Sequence, residues 1–389
     1  MARLTHLAPN AGIYVHIPFC IRKCRYCDFY SVTEISRTDA FIEAICREIA
    51  ATTSRLHFDT LYIGGGTPSV LAPDDIGRII DRIVAQFRVD PAAEITLEVN
   101  PGTITRDSLS AYRKVGVNRL NIGVQSFQDD SLKWLGRIHS AEAATNAVLW
   151  AQASGFDRIG IDLMYGIPNQ SRQLWMADLH QAVALNPEHL SCYMLTCEPG
   201  TPLDRMRRQR KFEPMADEKL CDLFETTVLE LSKRGYPLYE ISNFARKDGS
   251  DSDIHRSRHN RKYWMDAPYI GFGPAAHSYL NPVRYRNHGD IAAYIADVNN
   301  GKLPVAEKEV LGTEQQLMEI VLLGLRTVEG ISIERFEEKS GRPFTRMFRD
   351  ILSDPELSER FMLTPERCAL TLQGMMVLDS MVGLFVDKI

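Results

Sequence analysis

A chain of 389 residues with 44% hydrophobic and 24% charged side chains has the composition of a globular protein, long enough for one large domain and a small one. A net charge of -5 argues against a dedicated nucleic-acid binder, and no apolar run reaches the roughly 18–20 residues of a membrane span. Eight cysteines are too sparse for a disulfide scaffold.

The first residues, 1–12, carry no apolar core and no small-residue cleavage site, so the expected location is the cytoplasm. In a reducing compartment, clustered cysteines point to metal or catalysis. From Ile13 the chain alternates short apolar runs with amphipathic stretches. Strands are expected at Ile13–Ile17, Thr60–Ile63, Ile95–Val99, Leu120–Val124, Ile159–Met164 and Leu190–Leu195. Helices are expected between them, such as Ala40–Leu56 and Ile76–Phe87; in the second, Ile76, Ile79, Ile80, Ile83 and Phe87 recur at helical spacing. Gly116 and Gly155 stand where helices end, and Ser140 where one begins.

Six strand–helix units imply a parallel sheet with right-handed crossovers. An open, partial (β/α)6 barrel and a flat doubly wound sheet both fit the pattern, and either puts chemistry at the C-terminal strand ends. After about residue 200 the rhythm breaks into a stretch rich in Arg, Asp, His, Tyr and Asn, including the basic run Arg205 to Lys211, which reads as a solvated loop. From about Pro304 a helical or winged-helix-like appendage is expected, with Gln315–Leu325 as a helix. The expected division is 1–230 for the barrel, 231–305 for an extension and 306–389 for the helical part.

Directly after the first strand, Cys20, Cys24 and Cys27 form a C-x3-C-x2-C string. Thiolates suit iron–sulfur clusters and zinc. A structural zinc wants four protein ligands, and Asp28 and Phe29 follow the third cysteine, so a four-iron cube with one open iron fits better. A helix face, or zinc with His16 as a distant ligand, remains open at this point. Cys46, Cys192, Cys197, Cys221 and Cys368 read as ordinary small buried residues. Polar or glycine strings end strand after strand: Gly64-Gly65-Gly66-Thr67-Pro68, Glu98 with Asn100-Pro101-Gly102, Gln125-Ser126-Phe127, and Asp162 with Tyr165-Gly166-Ile167-Pro168. Their recurrence suggests one shared pocket. Glu98 and Asp162 suit an amino group or ribose hydroxyls, and Arg137 a carboxylate.

The string from Tyr14 to Phe29, with Gly64–Pro68, resembles the radical S-adenosylmethionine (SAM) superfamily. Nearly the whole chain resembles its coproporphyrinogen-oxidase-like branch, and within it the haem chaperones. Further matching strings are Glu98-Val-Asn-Pro, Gly123-Val-Gln-Ser-Phe, Asp162-Leu-Met-Tyr-Gly-Ile-Pro, Tyr239-Glu-Ile-Ser-Asn-Phe-Ala245 and Arg258-His-Asn260. The resemblance implies a partial (β/α)6 barrel with a helical C-terminal domain. It implies a [4Fe–4S] cluster on Cys20, Cys24 and Cys27, and SAM lined by Tyr14, Gly65, Gly66, Thr67, Glu98, Gln125, Arg137 and Asp162. Reduction of such a cluster cleaves SAM to a 5'-deoxyadenosyl radical.

Two activities compete within that branch: haem delivery to respiratory proteins, and oxygen-independent oxidation of coproporphyrinogen III. The oxidases carry a further cysteine two positions after the third, where Phe29 stands here, and a longer segment before the first strand. The string Arg258-His259-Asn260-Arg-Lys-Tyr263 matches the H-N-x-x-Y of the haem chaperones. It implies haem as cargo, with His259, Asn260 and Tyr263 at its site. Imidazole is a standard axial ligand, Tyr263 and Trp264 are placed to pack on the porphyrin, and Arg256, Arg258 and Arg261 to pair with propionates. His255 and His277 are competing ligands. The polar stretch Lys247–His255 is longer than the family's usual connection. Implied partners are a haem-accepting protein, at the inner face of a membrane, and an electron donor, with a homodimer as an allowed assembly. A radical SAM methyltransferase or RNA-modifying enzyme fits the acidic balance and the C-terminal strings poorly.

Overall fold

Along the first strand, residues alternate between apolar Ile13, Val15 and Ile17 and small or polar Gly12, Tyr14 and His16. The same alternation runs through the next five strands, and because side chains alternate faces it gives the sheet one apolar and one polar surface. The computed structural model describes residues 10–249 and 253–389; residues 1–9, and residues 250–252 of the Lys247–His255 stretch, lie outside them.

The strands β1 (Ala11–Ile17), β2 (His57–Gly65), β3 (Arg88–Val99), β4 (Arg119–Gln125), β5 (Ile159–Tyr165) and β6 (His189–Met194) are all parallel and pair in sequence order. A doubly wound sheet reverses strand order and carries helices on both faces. Sequential order with right-handed crossovers puts every helix on one side, so the sheet curls into a partial barrel. Of helices α1 (Thr38–Ala51), α2 (Pro73–Gln86), α3 (Arg106–Lys114), α4 (Asp129–Leu135), α5 (Ala141–Ala153) and α6 (Arg172–Ala184), all but α4 cover the apolar face, while α4 packs separately, through Leu135, on Met164 and Ile167. Ser140 accepts a hydrogen bond from the Ala143 amide, as its expected capping position requires, and Gly116 and Gly155 take positive φ after their helices.

The sheet is wider than six strands. Helices α7 (Pro202–Arg208) and α8 (Asp217–Lys233) lead to β7 (Leu238–Glu240) and β8 (Asn243–Ala245), which add antiparallel strands beyond β6. Arg205–Arg208 therefore end a helix rather than lie in a loop; Arg207 and Arg208 pair with Asp204 at 2.9 Å. On the other edge, after α9 (Arg258–Trp264), β9 (Tyr269–Phe272) pairs in parallel with β1. It is continued by antiparallel β10 (His277–Leu280), β11 (Val283–Asn287) and, after α10 (Ile291–Asn299), β12 (Val305–Val310). These short strands lie in a segment dominated by polar residues, which hides their periodicity, and β12 occupies the start of the stretch expected to be helical. Its six residues are all exposed, so no hydrophobic pattern marks it.

The C-terminal part begins with α11 (Thr313–Leu325). A small antiparallel sheet of β13 (Ile331–Ser332), β14 (Phe361–Leu363) and β15 (Arg367–Leu370) sits among short helices, around packed rings of Phe336, Phe344, Phe348 and Phe385. This is the expected helical domain with a wing-like element. Buried Glu240 ties it to the barrel edge: the Arg326 guanidinium donates to Glu240 Oε1 from Nη2 at 2.7 Å and from Nε at 3.1 Å.

Candidate functional site

The polar face of β1–β6 lines a lumen in layers fixed by register. Tyr14 lies beside Tyr62, Glu98 beside Asn121, Gly123 beside Asp162 and Asp162 beside Ser191. Parallel strands covered on both faces usually read as continuous apolar runs; the polar alternate residues mark this lumen as a place for a polar ligand.

At the C-terminal end, Cys20–Tyr30 form a loop without helical turns, which removes the helix-face reading of the cysteines. Hydrogen bonds hold the loop at both ends: Cys20 N to Val32 O at 2.9 Å, Arg25 N to Leu135 O at 3.2 Å, and Leu203 N to Arg25 O at 2.8 Å. Cys20 is buried, and Cys24 and Cys27 are half-buried beside it. Burial pushes the Cys27 thiol up to about 11, with Cys24 and Cys20 adding to the shift. Three soft donors, one buried and two half-buried, invite a positively charged metal centre that would offset the cost of forming thiolates. Among the described residues, no group of three or more His, Cys, Asp or Glu, the cysteine triplet included, is drawn together tightly enough to hold one metal ion. The other five cysteines are scattered, with Cys192 and Cys368 buried and Cys46, Cys197 and Cys221 half-buried.

The glycine run brings backbone against this loop. Gly66 N donates to Ile17 O at 2.8 Å, Thr67 N to Phe19 O at 2.7 Å, and Thr67 Oγ1 to Cys20 Sγ at 3.4 Å. A Cβ on Gly66 would meet Phe19 O at 2.8 Å and Cys20 Sγ at 3.1 Å, so only glycine permits this approach.

Arg137 reaches in from beyond α4. Its guanidinium donates to Gly123 O at 2.6 Å and to Cys24 Sγ at 3.6 Å, and its Nε is buried without a partner. Glu98 accepts from Tyr62 Oη at 2.6 Å and Gly65 N at 3.2 Å. Asn121 Nδ2 donates to Asp162 Oδ2 at 2.8 Å. Burial raises Glu98 to about 7, with Asp162 nearby adding to it, and raises Asp162 to about 6 against its hydrogen bonds from Ser191 and Asn121. Neither forms an ion pair among the described residues. Two uncompensated buried carboxyls and an orphaned guanidinium nitrogen fit a ligand with cationic groups and a carboxylate. Gln125, at φ +71°, accepts from Tyr193 Oη at 2.5 Å. The loop after it is fixed by buried Asp178 of α6, which accepts from Ser126 Oγ at 2.7 Å and Phe127 N at 2.8 Å. Tyr14 Oη is 3.0 Å from His16 Nδ1, and His16 Nε2 is 2.9 Å from Tyr30 O. Burial lowers His16 to about 4; the neutral ring donates from Nε2 and accepts the tyrosine O–H. All eight residues expected around SAM thus gather near the cysteine loop. Tyr62, Asn121, Ser191 and Tyr193 join them without having been singled out; the period-2 alternation within the strands was the signal.

The H-N-x-x-Y segment lies elsewhere. α9 closes the lumen at its other end: Arg258 pairs with Asp59 at 2.9 Å, Lys262 Nζ donates to Asn10 O at 2.5 Å, and His259 N donates to Glu94 Oε1 at 3.1 Å. The His259 ring is buried, with Nδ1 2.8 Å from Thr60 Oγ1 and Nε2 3.0 Å from Tyr263 Oη. It stacks on Tyr62 at 5.1 Å, and burial lowers it to about 3. A neutral imidazole has one lone pair, and here a hydroxyl takes it. Asn260 N donates to Ser257 Oγ at 3.2 Å, Tyr263 packs on Tyr269, and Trp264 on Tyr239. The expected propionate partners are committed too: Arg256 to Glu329 and Asp253, Arg261 to Asp253. His255 is buried near Asp248, whereas His277 is exposed at the start of β10, at the cysteine end.

Residues 14–182 match the family model of the Radical SAM superfamily, and residues 311–377 that of the HemN C-terminal domain. The heme chaperone HemW of Bacillus subtilis is 33% identical over 383 residues, covering 97% of this chain and 99% of that protein. HemW of Escherichia coli is 38% identical over 275 residues, covering 69% and 70%. The structure of E. coli coproporphyrinogen III oxidase HemN superposes with a TM-score of 0.83 over 98% of this chain and 91% of that one; at 23% identity this shows a shared fold. Radical SAM membership implies a [4Fe–4S] cluster and SAM, which the donor set described above fits. With relatives of this identity spanning nearly its whole length, the chain belongs to the HemW family of radical SAM proteins.

Proposed function

We propose that this protein is a haem chaperone that holds a [4Fe–4S] cluster and SAM in the barrel and passes haem to haemoproteins. The observation that carries the reading is the agreement with HemW proteins over nearly the full length of both chains. Cys20, Cys24 and Cys27 would bind three irons of the cluster. Glu98, Asp162 and Arg137 would hold the charged groups of SAM, with Gln125, Tyr14, Gly65, Gly66 and Thr67 around it. The bound pair supplies one-electron chemistry. The chain's own residues exclude water, fix the loop and orient the ligand. Phe29, which stands where the oxidases have a cysteine, is 64% exposed and offers no ligand.

Among the described residues no helix is long and apolar enough to cross a membrane. We place the protein in the cytoplasm, meeting respiratory acceptors at the membrane surface, as a monomer or homodimer. We divide the chain into barrel 1–230, extension 231–305 and helical domain 306–389, with two corrections: α8 runs on to Lys233, and β12 (Val305–Val310) pairs with β11, so the helical domain begins with α11 at Thr313. Haem coordination by His259 carries a structural condition: the Thr60 or Tyr263 hydroxyl must release a ring nitrogen, with Asn260 and Tyr263 moving alongside. Exposed His277 meets no such condition and is the second candidate ligand.

The test is anaerobic reconstitution followed by addition of haem and, separately, of coproporphyrinogen III with SAM and reductant. Stoichiometric haem binding by Soret absorbance, with no protoporphyrinogen by product mass, is expected. Robust decarboxylation overturns the proposal. His259→Ala and His277→Ala assign the ligand.

A further inference from the structure

The outer side of the cysteine loop is cationic in a protein of net charge -5. An open cleft of about 650 Å³ is lined by Arg22, Lys23, Arg25, Lys133 and Arg137, with Asp129 as its one carboxylate. Several arginines elsewhere are paired, Arg207 and Arg208 with Asp204, Arg256 with Glu329 and Arg258 with Asp59. None of the five cleft cations makes an ion pair among the described residues; Arg137 is assigned above to the carboxylate of SAM, which leaves Arg22, Lys23, Arg25 and Lys133 facing outward. Four of the five are anchored on backbone carbonyls instead: Arg22 Nη2 on Gly136 O and Arg137 O at 2.7 Å each, Arg25 on Trp134 O at 2.7 Å, Lys23 on Phe29 O at 3.1 Å and Arg137 on Gly123 O at 2.6 Å. Asp129 is itself occupied, accepting from Ala141 N at 2.7 Å. Carbonyl anchoring holds these side chains in place and leaves a patch of positive field that attracts an anionic surface.

Three large apolar side chains stand in the same region: Ile21 at 51% exposure, Phe29 at 64% and Ile138 at 36%. Fixed cations beside exposed apolar groups suit a folded acidic protein better than a bare phosphate polymer. The location narrows the partner. Arg137 lines the cleft and also donates to Cys24 Sγ at 3.6 Å, so a molecule seated there is one side chain from a metal-ligating thiol.

We propose that this cleft is the docking surface for an acidic one-electron carrier protein that reduces the metal centre on Cys20, Cys24 and Cys27. The inference rests on the cluster reading above. The transfer is balanced: the carrier is oxidised by one electron, the centre is reduced by one, and no bond forms or breaks. Transient redox encounters use small interfaces steered by charge, so a compact cationic cleft suffices.

The test takes the cluster-free and the reconstituted full chain, with oxidised flavodoxin as the acidic probe. Binding is followed by calorimetry at low and high salt. The exposed pair Lys23→Glu/Lys133→Glu is expected to weaken flavodoxin binding about tenfold or more, as does raised salt. Because binding to the cluster-free chain is read directly, loss of the cluster reading and loss of the docking reading are separable. In reconstituted protein, reduction by reduced flavodoxin should slow by a similar factor, while reduction by photo-excited deazaflavin, a small neutral donor, stays unchanged. Equal flavodoxin binding by the variant and the wild type overturns the proposal, as does indifference to salt. So does a variant that loses binding to RNA or to anionic phosphatidylglycerol vesicles while keeping flavodoxin.

Discussion

Tyr263 Oη lies 3.0 Å from His259 Nε2, and Thr60 Oγ1 lies 2.8 Å from Nδ1 of the same ring. The two hydroxyls clamp an imidazole that stacks on Tyr62, and Tyr62 in turn donates to Glu98 at 2.6 Å. The segment expected to hold haem is thereby mechanically continuous with the carboxyl expected to hold SAM.

Removing either hydroxyl leaves a buried ring nitrogen unpaired, a cost of about 1–3 kcal/mol. Tyr263→Phe and Thr60→Val should each lower the urea midpoint accordingly. His259→Ala should leave the iron content of reconstituted protein intact but weaken the change that SAM causes in the reduced cluster's EPR spectrum. An unaltered SAM response in that variant would show that the clamp does not reach the upper lumen.

Gly66→Ala tests the backbone approach to the cysteine loop. The new methyl would meet the Phe19 and Ile17 carbonyls at 2.8 and 3.0 Å, and neither is the free end of a flexible side chain. The loop must move, so bound iron should fall by more than about half while far-UV circular dichroism persists. Full iron loading of this variant would sink the argument.

The barrel strands were legible because each carries β-branched residues between turn signals, and their observed bounds differ from the expected ones mostly at the N-terminal ends, as with β3, which starts at Arg88 rather than Ile95. The spacing marked the cysteines as a ligand set but left a helix face and zinc open; the loop itself became plain only in the structure. The lumen was only half legible. Residues at the strand ends, such as Glu98 and Asp162, stood out beside glycine and proline. Thr60, Tyr62 and Tyr193, inside the runs, passed as strand formers, although their alternation with Leu61, Ile63 and Cys192 marked a polar face. The place of α9 was not legible, because nothing local shows that His259 meets Thr60, 199 positions away. Strands β9–β12 were missed because their pairing comes from neighbours far along the chain rather than from a hydrophobic period.

The Glu240–Arg326 bond joins the barrel edge to the helical domain. Glu240 is buried and also accepts from Asn243 Nδ2 at 2.6 Å and Ser242 N at 3.0 Å. Breaking a buried ion pair can cost about 3–5 kcal/mol. Arg326 is 35% exposed at its side chain, and two other donors remain, so Arg326→Met should cost nearer about 1–2 kcal/mol. It should also speed proteolysis between barrel and helical domain. A variant with unchanged urea midpoint and cleavage rate would mean that other contacts hold the junction.

The upper lumen makes a pH prediction for SAM binding. Burial raises Glu98 to about 7, with Asp162 adding to it, and raises Asp162 to about 6, against its hydrogen bonds from Ser191 and Asn121 and the more distant charges of Arg137 and Arg119. A cationic ligand favours their ionised forms, so its binding expels protons wherever the free site still holds them. Affinity should be highest above pH about 7, and should fall as pH drops through about 7 and then about 6, by up to about tenfold per unit for each group. Other groups in the lumen do not confuse the profile. His16 and His139 are held near 4 by burial, below the window, and Tyr14, Tyr62 and Tyr193 are pushed upward, above it. Glu48 also sits at about 7, but its partners are Tyr294, Asn287 and Gly273, away from this lumen, so it is expected to titrate alike in free and bound protein. Calorimetric titration of reconstituted protein with SAM across this range should show the fall. Glu98→Gln should remove its upper part and leave the lower part, which belongs to Asp162. A flat wild-type profile, or a Glu98→Gln profile that superposes on the wild type, would place the cationic end of the ligand away from Glu98.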